Sequence, residues 1–160
     1  MEILRIEPTN EHFAQAGDLR ERVLLRAVGF TLAQFDEVYG SADRFDHFVA
    51  VGDQDDGEWA ARVMGVALLL PEYPEPGCGK IMQVAVEEGL RGRGVGAAVM
   101  RAAEDRAFAA KDADGRGLAS LVCHAQLPAV PFYERIGWSV ISEEFEEAGI
   151  PHLRMAKWPK

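Results

Sequence analysis

The chain reads as a single α/β (α+β) domain, 1–160, built on a mixed, largely antiparallel sheet flanked by helices, and three stretches lead to that reading. From Lys80 to Cys123 an apolar strand, a glycine-rich loop, an alanine-rich helix and a second apolar strand form a right-handed βαβ unit, which requires one parallel pair. Phe45 to Val51 and Ala60 to Leu70 are joined by the turn residues Gln54-Asp55-Asp56-Gly57, a connection so short that the two strands must be antiparallel. Trp138 to Ile141 and Leu153 to Trp158 close the chain as another hairpin.

The elements follow in order. Glu2 to Ile6 alternates polar and apolar residues as a first strand does, and Pro8-Thr9-Asn10 supplies a stop and a helix cap. From Glu11 to Ala27, Phe13, Ala16, Val23, Leu24 and Ala27 fall on one helical face, with Glu11, Gln15, Asp18 and Glu21 mostly on the other. Arg20 lies in the apolar stripe; its stem is expected to pack while its head snorkels to water, the competing role being a guanidinium that reaches a cleft. Gly29 ends this helix and Thr31 caps a second one through Tyr39. Pro71, Pro74 and Pro76 stiffen the loop before the strand Lys80 to Val86, where Met82, Val84 and Val86 point one way and Gln83 and Ala85 the other. In the next helix Val95, Ala98, Val99, Ala102, Ala109 and Ala110 share a face opposite Arg101, Glu104, Asp105 and Lys111. Asp112 to Gly117 is a turn, Leu118 to Cys123 a strand, and Val130 to Arg135 a short helix closed by Gly137. Ser142 to Ala148 reads as an acidic loop.

Composition narrows the functions. With 48% hydrophobic and 27% charged residues the chain matches an ordinary soluble domain, and no run approaches the ~18 apolar residues of a membrane span. A net charge of −9 opposes nucleic acid and anionic membrane as partners and favours a cationic amine. Cys78 and Cys123 have no CxxC spacing, so neither a zinc site nor another metal centre is expected and both read as reduced thiols. The opening residues MEILRIEPTN lack a secretion signal, and a cytoplasmic location is expected.

The chemistry centres on Arg91-Gly92-Arg93-Gly94-Val95-Gly96, which opens a helix. Successive backbone N–H groups at a helix N-terminus, with glycines that allow close approach and two arginines beside them, form an anion cradle. Gly92 to Ala97 also satisfies the GxGxxA dinucleotide fingerprint, but Glu87 to Leu90 separates it from the strand, and Cys123-His124 stands where a ribose-binding acid should end the next strand. A Walker A loop lacks its Gly-Lys-Ser/Thr ending here.

Arg91-x-x-Gly94-x-Gly96 after an apolar strand, followed by helix, strand and Phe132-Tyr133-Glu134-Arg135-Ile136-Gly137-Trp138, resembles the GCN5-related N-acetyltransferase (GNAT) superfamily. Phe145-x-Glu147-Ala148-Gly149-Ile150-Pro151-His152-x-x-Met155 and Ala125-Gln126 are similar to a small bacterial branch with this GIPH stretch. The resemblance implies acetyl-CoA as donor, its pyrophosphate on the amides of Arg91, Gly92, Arg93, Gly94, Val95 and Gly96. It also implies a sheet splayed at the acyl-CoA site, the pantetheine arm pairing with the strand Val84, Ala85 and Val86, and the N–H of Val84 as oxyanion donor. Tyr133 matches the general acid that protonates the departing thiolate, a transfer open to a phenol with pKa near ~10.

The general base is left open. Between Cys78 and Val86 no Asp or Glu occurs and Lys80 is the one ionisable side chain; Glu147, His152, His124 or a water chain are the candidates. The resemblance implies direct transfer to an amine of a small molecule or peptide, and Cys123 beside His124 is a weak nucleophile pair for a ping-pong route because adjacent strand residues face opposite ways. A non-catalytic acyl-CoA sensor and, less favoured, a nucleotide-binding protein are the alternatives. A homodimer through exposed hairpin ends is compatible with the sequence.

Overall fold

The computed structural model describes residues 1–109 and 115–160. The sequence-based placement of Ala110, Lys111 and the start of the Asp112 turn lies outside the described residues. Among the described residues eight strands follow the order β1-β2-β3-β4-β5-β8-β6, with β7 on β8: β1 Glu2–Ile6, β2 Asp46–Val51, β3 Val63–Leu70, β4 Cys78–Val86, β5 Ser120–Gln126, β6 Ser139–Val140, β7 Phe145–Glu147 and β8 Ile150–Lys157. Helices are α1 Phe13–Arg20, α2 Leu32–Tyr39, α3 Val95–Ala109 and α4 Val130–Arg135. The ladders β1·β2, β2·β3, β5·β8, β6·β8 and β7·β8 are antiparallel and β4·β5 is parallel, the mixed, largely antiparallel sheet expected.

Two compact units emerge from the residue contacts: Met1–Leu69 with Gln83–Ala103, and Leu70–Met82 with Glu104–Lys160. All eight residues of β3, seven of them in the first unit, are buried, which explains why Val63 to Leu70 is nearly continuous apolar sequence rather than alternating. Gly65 on that strand is a close-approach position, since a Cβ there would stand 2.6 Å from Val95 Cγ1 at the start of α3. Thr31 and Gln34 form a reciprocal capping box on α2, as the sequence suggested for Thr31.

The first helix departs from its expected span. It is α-helical only to Arg20, continues as a π-helical turn over Glu21–Leu25 and ends in a 3-10 turn at Arg26–Val28. A π turn adds a residue per revolution, so the face slips: Ala16, Leu19, Arg20 and Leu25 are buried, whereas Ala27 is exposed and Val23 and Leu24 are half-buried. The hairpin connection before β3 is also longer than expected, carrying a 3-10 turn at Gly57–Trp59 and a bridge between Gly52 and Ala60.

In the second unit β5 lies between β4 and β8, and α4 covers Val130–Arg135 as the sequence indicated. Glu104, expected on the outer face of α3, is instead buried, accepting hydrogen bonds from Trp138 Nε1 at 2.7 Å and Lys157 Nζ at 2.6 Å. Alanine on both sides of α3 left its face ambiguous, and a paired carboxylate can be buried where an unpaired one would be expelled. The acidic stretch Ser142 to Ala148 is not all loop: Phe145–Glu147 is β7, folded onto β8 through Ala148 and Gly149, both at positive φ (51° and 74°).

Candidate active site

Within the first unit the site begins on β4. Gln83 has φ of 54°, a left-handed conformation in the middle of a strand, so the strict alternation expected from Met82 to Val86 is broken there. A non-glycine residue is held in this conformation by its surroundings: Arg20 Nε donates to Gln83 Oε1 at 3.3 Å. Sequence reading missed Gln83, because nothing in a polar residue between apolar ones announces a positive φ. The β4·β5 register covers Cys78 to Lys80 against Ser120 to Val122.

After β4, Glu87 N donates to Met64 O at 3.0 Å and a 3-10 turn runs over Glu88–Leu90. Arg22 fixes this approach with a guanidinium bonded to Glu87 Oε1 at 2.7 Å and to Asp18 at 2.6 Å; the Glu87 bond is the main reason its pKa is raised. Gly92 and Gly94 then take φ of 77° and 85°, where a side chain would be strained, although a Cβ on either would meet nothing within 4 Å. The glycines are there for conformation, and the space over them is open. Arg91 and Arg93 are exposed, but the Arg93 N–H is drawn into the turn, donating to Leu90 O at 3.3 Å. Ala98 N closes the first helical bond on Gly94 O at 3.0 Å, leaving the amides of Val95, Gly96 and Ala97 without intrahelical acceptors. No acidic residue opposes an anion in the first turn of α3. The cradle thus fits a pyrophosphate, and extends one residue past Gly96 to Ala97.

Within the second unit the three candidate bases come together. His124 on β5 bonds through Nδ1 to Glu147 Oε1 at 2.9 Å, and His152 Nε2 stands 3.7 Å from Glu147 Oε2. The His124 bond is the chief cause of a lowered Glu147 pKa, so the carboxylate is ionised and must accept. Nδ1 of His124 therefore carries the proton, and in the neutral ring Nε2 holds the lone pair. His152 donates from Nδ1 to Ile150 O at 2.7 Å. Phe145 packs its ring against both imidazoles, edge-on to His124 at 5.0 Å and stacked on His152 at 5.9 Å. Lys80 is buried and burial lowers its pKa, opposed by Glu147. Register explains the meeting: Gln126 pairs with His152 and Phe145 with His152, bringing β5, β7 and β8 together at one end.

Tyr133 is 7% exposed, edge-on to Phe132 at 5.1 Å and Trp138 at 6.1 Å, and burial pushes its phenol up, so the hydroxyl stays protonated. Cys123 is 1% exposed and burial raises its thiol well above the ordinary range, which removes it as a nucleophile. Cys78 and Cys123 are both free thiols.

The first unit thus carries a glycine cradle at the start of α3, and the second a buried phenol and a histidine–carboxylate pair. The chain belongs to the acetyltransferase (GNAT) domain family, whose profile matches residues 53–158. It is 45% identical over 82 residues to the uncharacterized N-acetyltransferase YjcF of Bacillus subtilis, a match covering 51% of this chain and only about half (54%) of that relative. In fold it is similar to an aminoglycoside 6'-N-acetyltransferase crystallised with coenzyme A, with TM-score 0.75, 15% identity and coverage of 100% and 99% of the two chains. It is also similar to an acyl-CoA N-acyltransferase from Pseudomonas aeruginosa, with TM-score 0.70, 20% identity and coverage of 98% and 97%. Membership is in a family of acetyltransferases. Among the described residues no helix is long and apolar enough to cross a membrane.

Proposed function

We propose that residues 1–160 act as one N-acetyltransferase domain that moves acetyl directly from acetyl-CoA to an amine of a small molecule or peptide. The observation that carries the reading is the glycine cradle at the start of α3, with open space above Gly92 and Gly94 and unengaged amides on Val95 to Ala97. The backbone of Arg91 to Gly96 surrounds the pyrophosphate, the amides of Arg91 and Arg93 being spent on Glu88 O and Leu90 O at 3.3 Å, and the Arg91 and Arg93 side chains add charge at its edge. Val84, Ala85 and Val86, just after the break at Gln83, present main-chain groups to the pantetheine amides, and the Val84 N–H stabilises the thioester oxyanion.

His124 takes the amine proton on Nε2 while Glu147 holds its other nitrogen and stabilises the imidazolium that forms. The attack breaks the carbon–sulfur bond as the carbon–nitrogen bond forms, and Tyr133 delivers a proton to the departing thiolate. Burial raises the Tyr133 pKa, which keeps the phenol protonated but weakens it as an acid, so the role requires its hydroxyl to hydrogen-bond the developing thiolate directly. No acyl-enzyme is needed, in keeping with the inert Cys123.

Steady-state thiol release with acetyl-CoA and an amine panel tests these roles. Tyr133→Phe is expected to lower kcat by ~10²-fold or more with acetyl-CoA affinity little changed. Unaltered turnover in that variant would remove Tyr133 as the acid.

A further inference from the structure

Arg20 does not snorkel. It is 6% exposed, its Nη2 is fully buried with no hydrogen-bond partner, and its guanidinium carbon lies 4.8 Å over the ring of Phe35. It lines a cavity of about 80 Å³ together with Phe13, Phe35, Phe45, Asp36 and His47. A buried cation with an unused donor is costly in a site that only fills space, so the arrangement calls for a ligand. A cavity of ~150 Å³ holds benzene, and this one holds about half that, a carboxylate with one or two carbons.

We propose that this cavity is the acceptor pocket and that Arg20 binds the carboxylate of a small amino acid, whose amine is the group acetylated. The proposal rests on the acetyl-transfer reading above and names its substrate class. Connection to the chemistry runs through Arg20 Nε, which holds Gln83, the residue next to the Val84 N–H. The charged groups at the cavity are a cation, Arg20, and an anion, Asp36, so a monoanion or a zwitterion is accepted more readily than a dianion. Burial lowers the Arg20 pKa to about 10, with Asp36 raising it, so the guanidinium stays charged near neutrality. His47 spends its Nε2 proton on Ala42 O at 2.9 Å and burial lowers its pKa, so it adds no second positive charge. Asp36 on the same wall repels a phosphate dianion more strongly than a carboxylate. The three phenylalanine rings suit the short aliphatic portion of such a molecule. Arg20 stands four residues after Ala16, on the buried face of α1 and ahead of the π-helical turn.

The test has a binding arm and a turnover arm. Calorimetric titration with propionate and with propionamide is expected to show propionate bound ~10–100-fold more tightly, a preference lost in Arg20→Gln and kept or increased in Asp36→Asn. Thiol release is expected from glycine, alanine, β-alanine or 4-aminobutyrate, and to fall at least ~10-fold in kcat/KM with methylamine, ethylamine or propylamine, which lack the carboxylate. Equal binding of acid and amide by the wild-type protein would overturn the pocket, whether or not Arg20→Gln folds. Acetylation of the simple amines as fast as the amino acids would overturn the acceptor assignment while leaving acetyl transfer intact. No thiol release from any amine, with propionate still bound through Arg20, would overturn acetyl transfer and the acceptor role together.

Discussion

His47 shows how a single buried side chain ties stability to pH. It is 2% exposed, edge-on to Phe13 at 5.2 Å and to Phe45 at 6.2 Å, and burial is the main cause of its lowered pKa. The unfolded chain binds that proton more readily than the folded one, near the ordinary value of 6.5. Its contribution to stability is therefore complete above about pH 6.5 and lost as pH falls through the lower folded value. Thermal melts of wild type and His47→Gln between neutral and acidic pH should converge as the pH drops, because the variant lacks this proton uptake; parallel curves would exclude the effect. The Glu147 contribution runs the same way at lower pH, present above the ordinary carboxylate range and lost through its depressed folded value. Arg20 and Gln83 carry the lesson of this scale. Their residue types were visible in the sequence, but burial of the one and the positive φ of the other depend on neighbours far away in the chain.

Among the elements, the strand–loop–helix run from β4 into α3 was the most legible. Glycine, arginine and alanine at Gly92 to Ala98 encode a turn and a close-packed helix by local chemistry alone, and the structure starts α3 at Val95. The Thr31 capping box and the Val130–Arg135 helix were legible for the same local reason. What escaped was set by tertiary packing: the π turn that shifts the buried face of the first helix, the burial of Glu104 by Trp138 and Lys157, and β7 within an acidic stretch. Three candidate bases could be named but not joined, because only the pairing of β5 and β7 with β8 brings them together. Close approach of β3 and α3 gives a test at this scale. Gly65→Ala would put a Cβ 2.6 Å from Val95 Cγ1, so it is expected to destabilise the fold by ~1–3 kcal/mol and to weaken acetyl-CoA binding by displacing the first turn of α3. A variant as stable as wild type would show that the helix start yields freely.

For the molecule as a whole, a net charge of −9 and a positively flanked cradle divide the work of recognition. On the proposed reading the general field favours a cationic amine, while Arg91, Arg93 and the amides after Gly94 would take the phosphates locally, within the ~8 Å screening length at physiological salt. Everything proposed for this chain follows from that cradle serving acetyl-CoA. Calorimetric titration of the purified protein with acetyl-CoA, NAD and ATP tests it directly. One-to-one binding of acetyl-CoA, weakened at least ~10-fold in Gly94→Ala because a side chain is strained at φ of 85°, with no comparable heat from NAD or ATP, is the expected result. Tight binding of NAD or ATP with no response to acetyl-CoA would contradict it.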